Sequence, residues 1–183
     1  QLDKIRELCD RYGALLGIDE CHASGFLGKT GRGTHEHFGM VGALQSSNQQ
    51  SSKQQIKPAA GLVDIFTGTL GKALGGGAGG FVAASDQVIQ LLIQRGRPTL
   101  FSNALPVTIA ASAKKAIEIM LAEPQRVQRL KDNTTYARKK IKEAGFNVLE
   151  SPTAICPIIV HDTAKAIAMS KRLLELGVFR SEE

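Results

Sequence analysis

An α/β fold is expected for this chain of 183 residues, and three observations carry that expectation. Strand-like runs at 14–19, 63–66 and 80–84 alternate with stretches of helical periodicity. Asp19 closes the first run, which puts a carboxylate at the carboxyl end of a buried parallel strand, where α/β sheets place their ligands. A break at Glu123-Pro124 sets off a charged helix and a second, smaller α+β part.

Leu2, Ile5, Leu8 and Cys9 recur on one face, so residues 2–12 are expected as an amphipathic helix. The run Ala14-Leu-Leu-Gly-Ile18 leads into strand 14–19, and glycines make the stretch from there to about Met40 a loop. Residues 63–66 and 80–84 read as strands, and Asp86 caps a helix to about Arg95. Residues 100–102 read as a short extended piece before a helix over 106–121. Past Glu123-Pro124 come a long helix to about Ala144, strands at 146–149 and 156–160, and a helix over 163–176. The polar run Gln45-Ser-Ser-Asn-Gln-Gln-Ser-Ser-Lys-Gln-Gln55 cannot build a packed core, so residues 43–60 are expected as a disordered surface loop.

The chemistry centres on Lys72, set in Thr67-Gly-Thr-Leu-Gly-Lys-Ala-Leu-Gly-Gly-Gly77, that is, among residues with almost no side chain. Glycines let the backbone turn through φ > 0 and let a ligand lie against the chain. An ammonium in that setting suits a phosphate or a carbonyl that becomes a Schiff base. A Walker loop needs glycine where Phe66 stands and Ser or Thr where Ala73 stands, so that reading fails twice. Gly75, Gly77 and Gly80 match the dinucleotide fingerprint, but Phe81-Val-Ala-Ala84 reads as a strand where the fingerprint requires a helix. The Schiff-base reading accounts for more residues. Pyridoxal phosphate needs a lysine for its aldehyde, an acid for its pyridine nitrogen and hydroxyl or N–H donors for its phosphate. Lys72, Asp19 and Thr69 supply these, and His22 lies within reach of the same ring.

Asp19-Glu-Cys-His-Ala-Ser-Gly-Phe-Leu-Gly28, with Gly31-Arg-Gly33 after it, resembles the aspartate–histidine signature of the α-oxoamine synthases. These are pyridoxal-phosphate enzymes with the aspartate-aminotransferase-like fold. Thr67-Gly-Thr-Leu-Gly-Lys-Ala-Leu-Gly75 resembles their lysine motif. The resemblance implies the fold type I large domain, with a mixed, mostly parallel sheet in residues 1–122, and a truncated small domain in 123–183. It also implies roles. Lys72 would carry the cofactor as a Schiff base and act as the base. Asp19 would pair with the pyridinium nitrogen, His22 would contact the ring or its 3-hydroxyl, and Thr69 would bind the phosphate.

Ser102 and Asn103 resemble the pair that reaches the phosphate of the other subunit's cofactor, which implies a homodimer with shared active sites. Within the family, Phe26, Leu27 and Arg97-Pro-Thr-Leu-Phe-Ser-Asn103 look most like the glycine C-acetyltransferase branch. That branch condenses glycine with acetyl-CoA to 2-amino-3-oxobutyrate and CoA, or cleaves that product in threonine degradation. Sibling chemistries are 8-amino-7-oxononanoate, 5-aminolevulinate and 3-ketosphinganine synthesis; a noncatalytic fragment is the third alternative. The resemblance places the family's ring-stacking aromatic before Gln1 and its substrate-carboxylate arginine after Glu183, so the chain reads as a fragment. The implied compartment is the mitochondrial matrix in a eukaryote and the cytoplasm otherwise.

Other classes fit less well. Cys21 and His22 are adjacent, and no second Cys or His pair stands at ligand spacing, so no metal site is expected; His35 and His37 are taken as solvated loop residues. Three cysteines give no disulfide framework and suit a reducing compartment. The formal charge of +6 is dispersed, with Arg126, Arg129, Lys131, Arg138, Lys139, Lys140 and Lys142 on one helix, few aromatics and interleaved acids. A solvated helix face, not a nucleic-acid surface, is the expectation. No run reaches the ~20 apolar residues of a membrane span.

Overall fold

The structure, a computed structural model, describes residues 1–40, 63–75 and 77–179. The loop expected over 43–60 lies outside the described residues. The chain divides into two compact units, Gln1–Leu130 and Lys131–Glu183.

In the first unit, helix α1 (Leu2–Tyr12) ends at Gly13, whose φ of 63° is the left-handed conformation that glycine supplies at a helix end. Strand β1 (Gly17–Asp19) follows, then a glycine-rich segment that contains one short helix, α2 (Thr34–His37). Strands β2 (Ile65–Thr69) and β3 (Gly80–Ala84) complete a sheet of order β1-β2-β3. β1 runs parallel to β2, and β3 runs antiparallel to it, so the sheet is mixed. Helices α3 (Asp86–Arg95), α4 (Arg97–Phe101) and α5 (Val107–Ala122) follow. Helix α6 (Gln125–Glu143) carries the chain into the second unit.

Side chains alternate across a strand. The register pairs Asp19 with Thr67 on one face, while Ile18 pairs with Phe66 and Phe66 with Ala83 on the other. The second face takes the core. Leu2, Leu16 and Val63 are buried together, with Cys9, Ile18, Met40 and Phe66 packed against them. Gly68 stands opposite Phe81, and a Cβ on Gly68 would sit 2.5 Å from Phe81 Cζ, so the ring lies across a position that only glycine leaves open.

The buried stripe of α1 differs from the expected one. Leu2, Arg6 and Cys9 turn inward, whereas Ile5 and Leu8 are about half exposed. The cause is Asp64, whose Oδ2 accepts the Arg6 guanidinium at 2.6 Å and the Leu16 N–H at 2.7 Å. Arg6 also donates to the Ala14 carbonyl at 3.3 Å and pairs with Asp10 at 2.8 Å. This ties α1 to the entry points of β1 and β2. Breaking a buried pair leaves one charge uncompensated, so Asp64→Asn is expected to destabilise the protein by about 3–5 kcal/mol, read by urea unfolding. A loss below about 1 kcal/mol would show that solvent screens the pair.

Other expectations shift as well. The first strand is shorter than 14–19, and the second extends through Thr69, so Thr67, Gly68 and Thr69 belong to a strand and not to the lysine loop. Residues 100 and 101 are helical, because Pro98 sits in the first turn of α4, where its missing N–H costs nothing; only Ser102 is extended, at φ −116° and ψ 151°.

In the second unit, the strands expected at 146–149 and 156–160 reduce to a single antiparallel bridge, Val148 to Ile158. Arg138 was placed on the solvated face of its helix, but it is buried and donates to the carbonyls of Ser151, Thr153 and Ile155. A guanidinium fork thus satisfies the carbonyls of the connection between the two bridged segments and holds that turn in place. Helix α7 (Thr163–Glu175) starts at Asp162, whose carboxylate accepts the Lys165 N–H at 2.9 Å. Among the described residues, no helix is long and apolar enough to cross a membrane.

Candidate active site

Because β1 and β2 are parallel, their carboxyl ends lie side by side, and the loops that leave them meet. The Glu20 carbonyl accepts the N–H groups of Ala23 and Ser24, both at 3.0 Å, so the chain turns back directly after β1. After β2 the chain loops through Lys72 and returns to β3, and Leu70 N–H donates to Gly79 O at 2.9 Å. Buried Leu74 anchors this second loop. The two loops pack together at Gly25, where a Cβ would lie 3.1 Å from that of Ala73; with φ of 100°, Gly25 makes the approach possible.

This packing brings two of the expected residues into contact. Lys72 Nζ lies 2.9 Å from His22 Nε2, and both side chains are exposed to solvent. Asp19 lies at the end of β1 on the same sheet face as Thr67 and Thr69. Hydrogen bonding from Cys21, through its thiol and its backbone N–H, holds the Asp19 carboxyl below the usual carboxylate range; the Thr67 hydroxyl and the Lys72 charge act in the same direction. The Cys21 N–H reaches Asp19 Oδ1 at 2.9 Å. The same contact pushes the Cys21 thiol up, away from thiolate. Asp19 is therefore an ionised acceptor at neutral pH, close to an amine and an imidazole.

Thr69 plays a local part. Its hydroxyl donates to Gly79 O at 3.1 Å and accepts the Gly71 N–H at 3.2 Å, which fixes the mouth of the lysine loop. Ser102 and Asn103 are not brought to this group. Both are exposed, Ser102 Oγ turns back to the Pro98 carbonyl, and among the described residues no hydrogen bond joins either to Asp19, His22 or Lys72.

The residues fit a pyridoxal-type group by the chemistry of the donor set. An exposed primary amine can take up an aldehyde, an ionised carboxylate suits a protonated ring nitrogen, and an imidazole lies beside the amine. The loop beyond Lys72 bears no side chains that would obstruct such a group at Gly75 and Gly77, which have φ of 67° and 92°. The dinucleotide reading of the same glycines is not supported, because Gly80 opens strand β3. Among the described residues no group of three metal-ligating side chains occurs.

A separate cleft of about 270 Å³ opens on the opposite sheet face, lined by Glu20, Ser24, Arg32, His35, Phe66, Phe81 and Ala83. It does not include Lys72, Asp19 or His22. His35 was expected to be solvated, but its side chain is mostly buried in α2, edge-on to Phe66 with ring centroids 5.0 Å apart. Sequence reasoning passed over Glu20 and the part played by the Cys21 N–H. A signal for Glu20 was present: strand alternation turns the residue after Asp19 to the core face, where a carboxylate needs donors.

Comparison with known proteins adds a family context. The model of the aminotransferase class I and II family matches residues 1–182. The chain is 43% identical to an 8-amino-7-oxononanoate synthase of Symbiobacterium thermophilum, over 97% of this chain and 40% of that protein. It is 38% identical to the human mitochondrial 2-amino-3-ketobutyrate coenzyme A ligase, over 97% of this chain and 38% of that protein. A solved serine palmitoyltransferase from S. paucimobilis superposes with a TM-score of 0.80 at 25% identity, covering 99% of this chain and 42% of that one. The chain thus spans about 40% of the length of the curated relatives it matches.

Proposed function

The chain belongs to the aminotransferase class I and II family, has the pyridoxal-phosphate-dependent aminotransferase-like fold with pyridoxal phosphate as its cofactor, and we propose that it forms part of an acyltransferase joining glycine to acetyl-CoA. The products are 2-amino-3-oxobutyrate and CoA, and the reverse cleavage is the same reaction run backwards. The observation that supports the cofactor site is the 2.9 Å contact between Lys72 Nζ and His22 Nε2 beside an ionised Asp19; the choice of glycine and acetyl-CoA rests on the resemblance of Arg97-Pro-Thr-Leu-Phe-Ser-Asn103 and on the 38% identity to the human 2-amino-3-ketobutyrate coenzyme A ligase.

Bound there, pyridoxal phosphate would supply an electron sink for the electron pair left on the α-carbon of an amino acid when its proton departs. Lys72 Nζ would hold the cofactor and, as a free amine, would accept that proton. His22 Nε2 orients Nζ. Asp19 keeps its charge for the ring nitrogen because Cys21 and Thr67 already hydrogen-bond it. Thr69 presents its hydroxyl to the phosphate from the loop mouth it braces, and Ser102 and Asn103 serve the phosphate of a second copy in a homodimer. Residues 1–122 are assigned on this reading to the large domain and 123–183 to the small one. The compartment is the mitochondrial matrix for a eukaryotic source and the cytoplasm otherwise.

The 43% identity to an 8-amino-7-oxononanoate synthase favours a second reading with the same residues. The carbon skeleton of that product divides into alanine, less its carboxylate, and a seven-carbon dicarboxylic acyl group. The two readings separate in one assay of CoA release. Glycine with acetyl-CoA is the pair expected to react. Release only from alanine with the seven-carbon acyl-CoA would establish the second reading, and release from neither would contradict both.

A further inference from the structure

Glu20 stands between Asp19 and His22 in sequence, yet its side chain points to the other sheet face and into the protein. It is 2% exposed. Both carboxylate oxygens accept the Thr34 N–H at 2.9 Å, Oε2 also accepts the Thr34 hydroxyl at 3.2 Å, and His35 Nδ1 lies 3.6 Å from Oε1. Gly33 makes this approach possible: at its φ of 111° a Cβ would sit 2.3 Å from Oε2. The carboxylate therefore grips the first turn of α2.

The backbone of Glu20 completes the junction. Its N–H donates to Thr67 O at 2.7 Å, extending the β1–β2 pairing past Asp19. Its carbonyl starts the turn that carries His22 back toward Lys72, through the Ala23 and Ser24 N–H groups. One residue thus sets both the end of the strand that bears Asp19 and the start of the turn that bears His22. The buried carboxylate fixes where that residue sits.

We propose that Glu20 is a positioning residue for the Lys72 site, holding Asp19 and His22 in register through its anchorage on Thr34. Its side chain touches none of the three and acts through them. Only the affinity readout below rests on the cofactor reading.

Glu36 supplies the control. Its carboxylate holds the same segment from another side, accepting the Thr30 N–H at 2.9 Å, the Thr30 hydroxyl at 2.7 Å and the Arg32 N–H at 3.1 Å, and it makes no contact with residues 19–22 among those described. In the cofactor-free protein, Glu20→Gln is expected to move the NMR signals of the His22 ring, and Glu36→Gln to leave them in place. With pyridoxal phosphate titrated by absorbance, Glu20→Gln is expected to weaken binding about tenfold or more, the scale of a lost hydrogen bond to a charged group. Glu36→Gln is expected to leave affinity unchanged even if it lowers the melting temperature.

Should Glu20→Gln not fold, Thr34→Val removes one donor to the same carboxylate and is expected to shift His22 in the same direction by less. Unchanged His22 signals in the folded Glu20→Gln variant, or equal shifts in Glu36→Gln, would overturn the proposal. A His22 shift in a protein that binds no pyridoxal phosphate would uphold the positioning role and overturn the cofactor reading instead.

Discussion

Lys72→Ala is expected to lose the visible absorbance band that pyridoxal phosphate gives with the wild-type protein, and with it essentially all turnover. Two functions fall together, because on the proposed function the same Nζ holds the cofactor and moves the proton. Loss of a positioned base alone costs about 10²–10⁴-fold in rate. His22 Nε2, 2.9 Å away, remains in the variant but cannot form the covalent link. Absorbance and turnover measured on one preparation check this directly. A band of full intensity in the variant would mean that another amine holds the cofactor.

The second large effect is expected at Asp19. Asp19→Asn keeps the size and the hydrogen-bond reach toward the Cys21 N–H but removes the charge that the proposed function assigns to the ring nitrogen. Misplaced or missing electrostatic stabilisation of this kind costs about 10²–10³-fold in rate. The pH behaviour follows from the direction of the shift. Hydrogen bonding by Cys21 holds the folded Asp19 below its ordinary range, so whatever the carboxylate contributes is fully present above that range and is lost only as pH falls through the lower folded value. Wild-type cofactor binding is expected to keep its Asp19 component under mildly acidic conditions, and Asp19→Asn to abolish that acid limb. A variant with the wild-type pH profile and near-normal turnover would remove Asp19 from the site.

Asp19, His22 and Lys72 were legible in the sequence because each depends on short-range features. A carboxylate closing an apolar run, a histidine in the turn after it and a lysine among glycines can be recognised without knowing what lies across the sheet. Their meeting follows from the parallel pairing of β1 with β2, which sets both loop starts at one end. The inward face of α1 was not legible. It depends on Asp64, 58 residues from Arg6, and that partner overrides the stripe that Ile5 and Leu8 suggest. Glu20 is similar: its donors are the N–H and hydroxyl of Thr34, which a glycine-rich loop brings back across a gap of 14 residues, with Gly33 leaving the space for the approach. The strands expected at 146–149 and 156–160 shrink to the Val148–Ile158 bridge, which keeps the Leu149 N–H to Pro157 O and Ile159 N–H to Asn147 O bonds. Arg138, read as one more surface charge, instead ties down the connection between them through the carbonyls of Ser151, Thr153 and Ile155, a role that the helix pattern does not reveal.

The most direct measurement of the central claim is to incubate the wild-type protein with pyridoxal phosphate, reduce it with borohydride and map the modified peptide by mass spectrometry. The expected result is one pyridoxyl group on Lys72, blocked in Lys72→Ala. Modification spread over exposed lysines such as Lys114 or Lys165, with Lys72 unmodified, would contradict the assignment of this loop as the cofactor site.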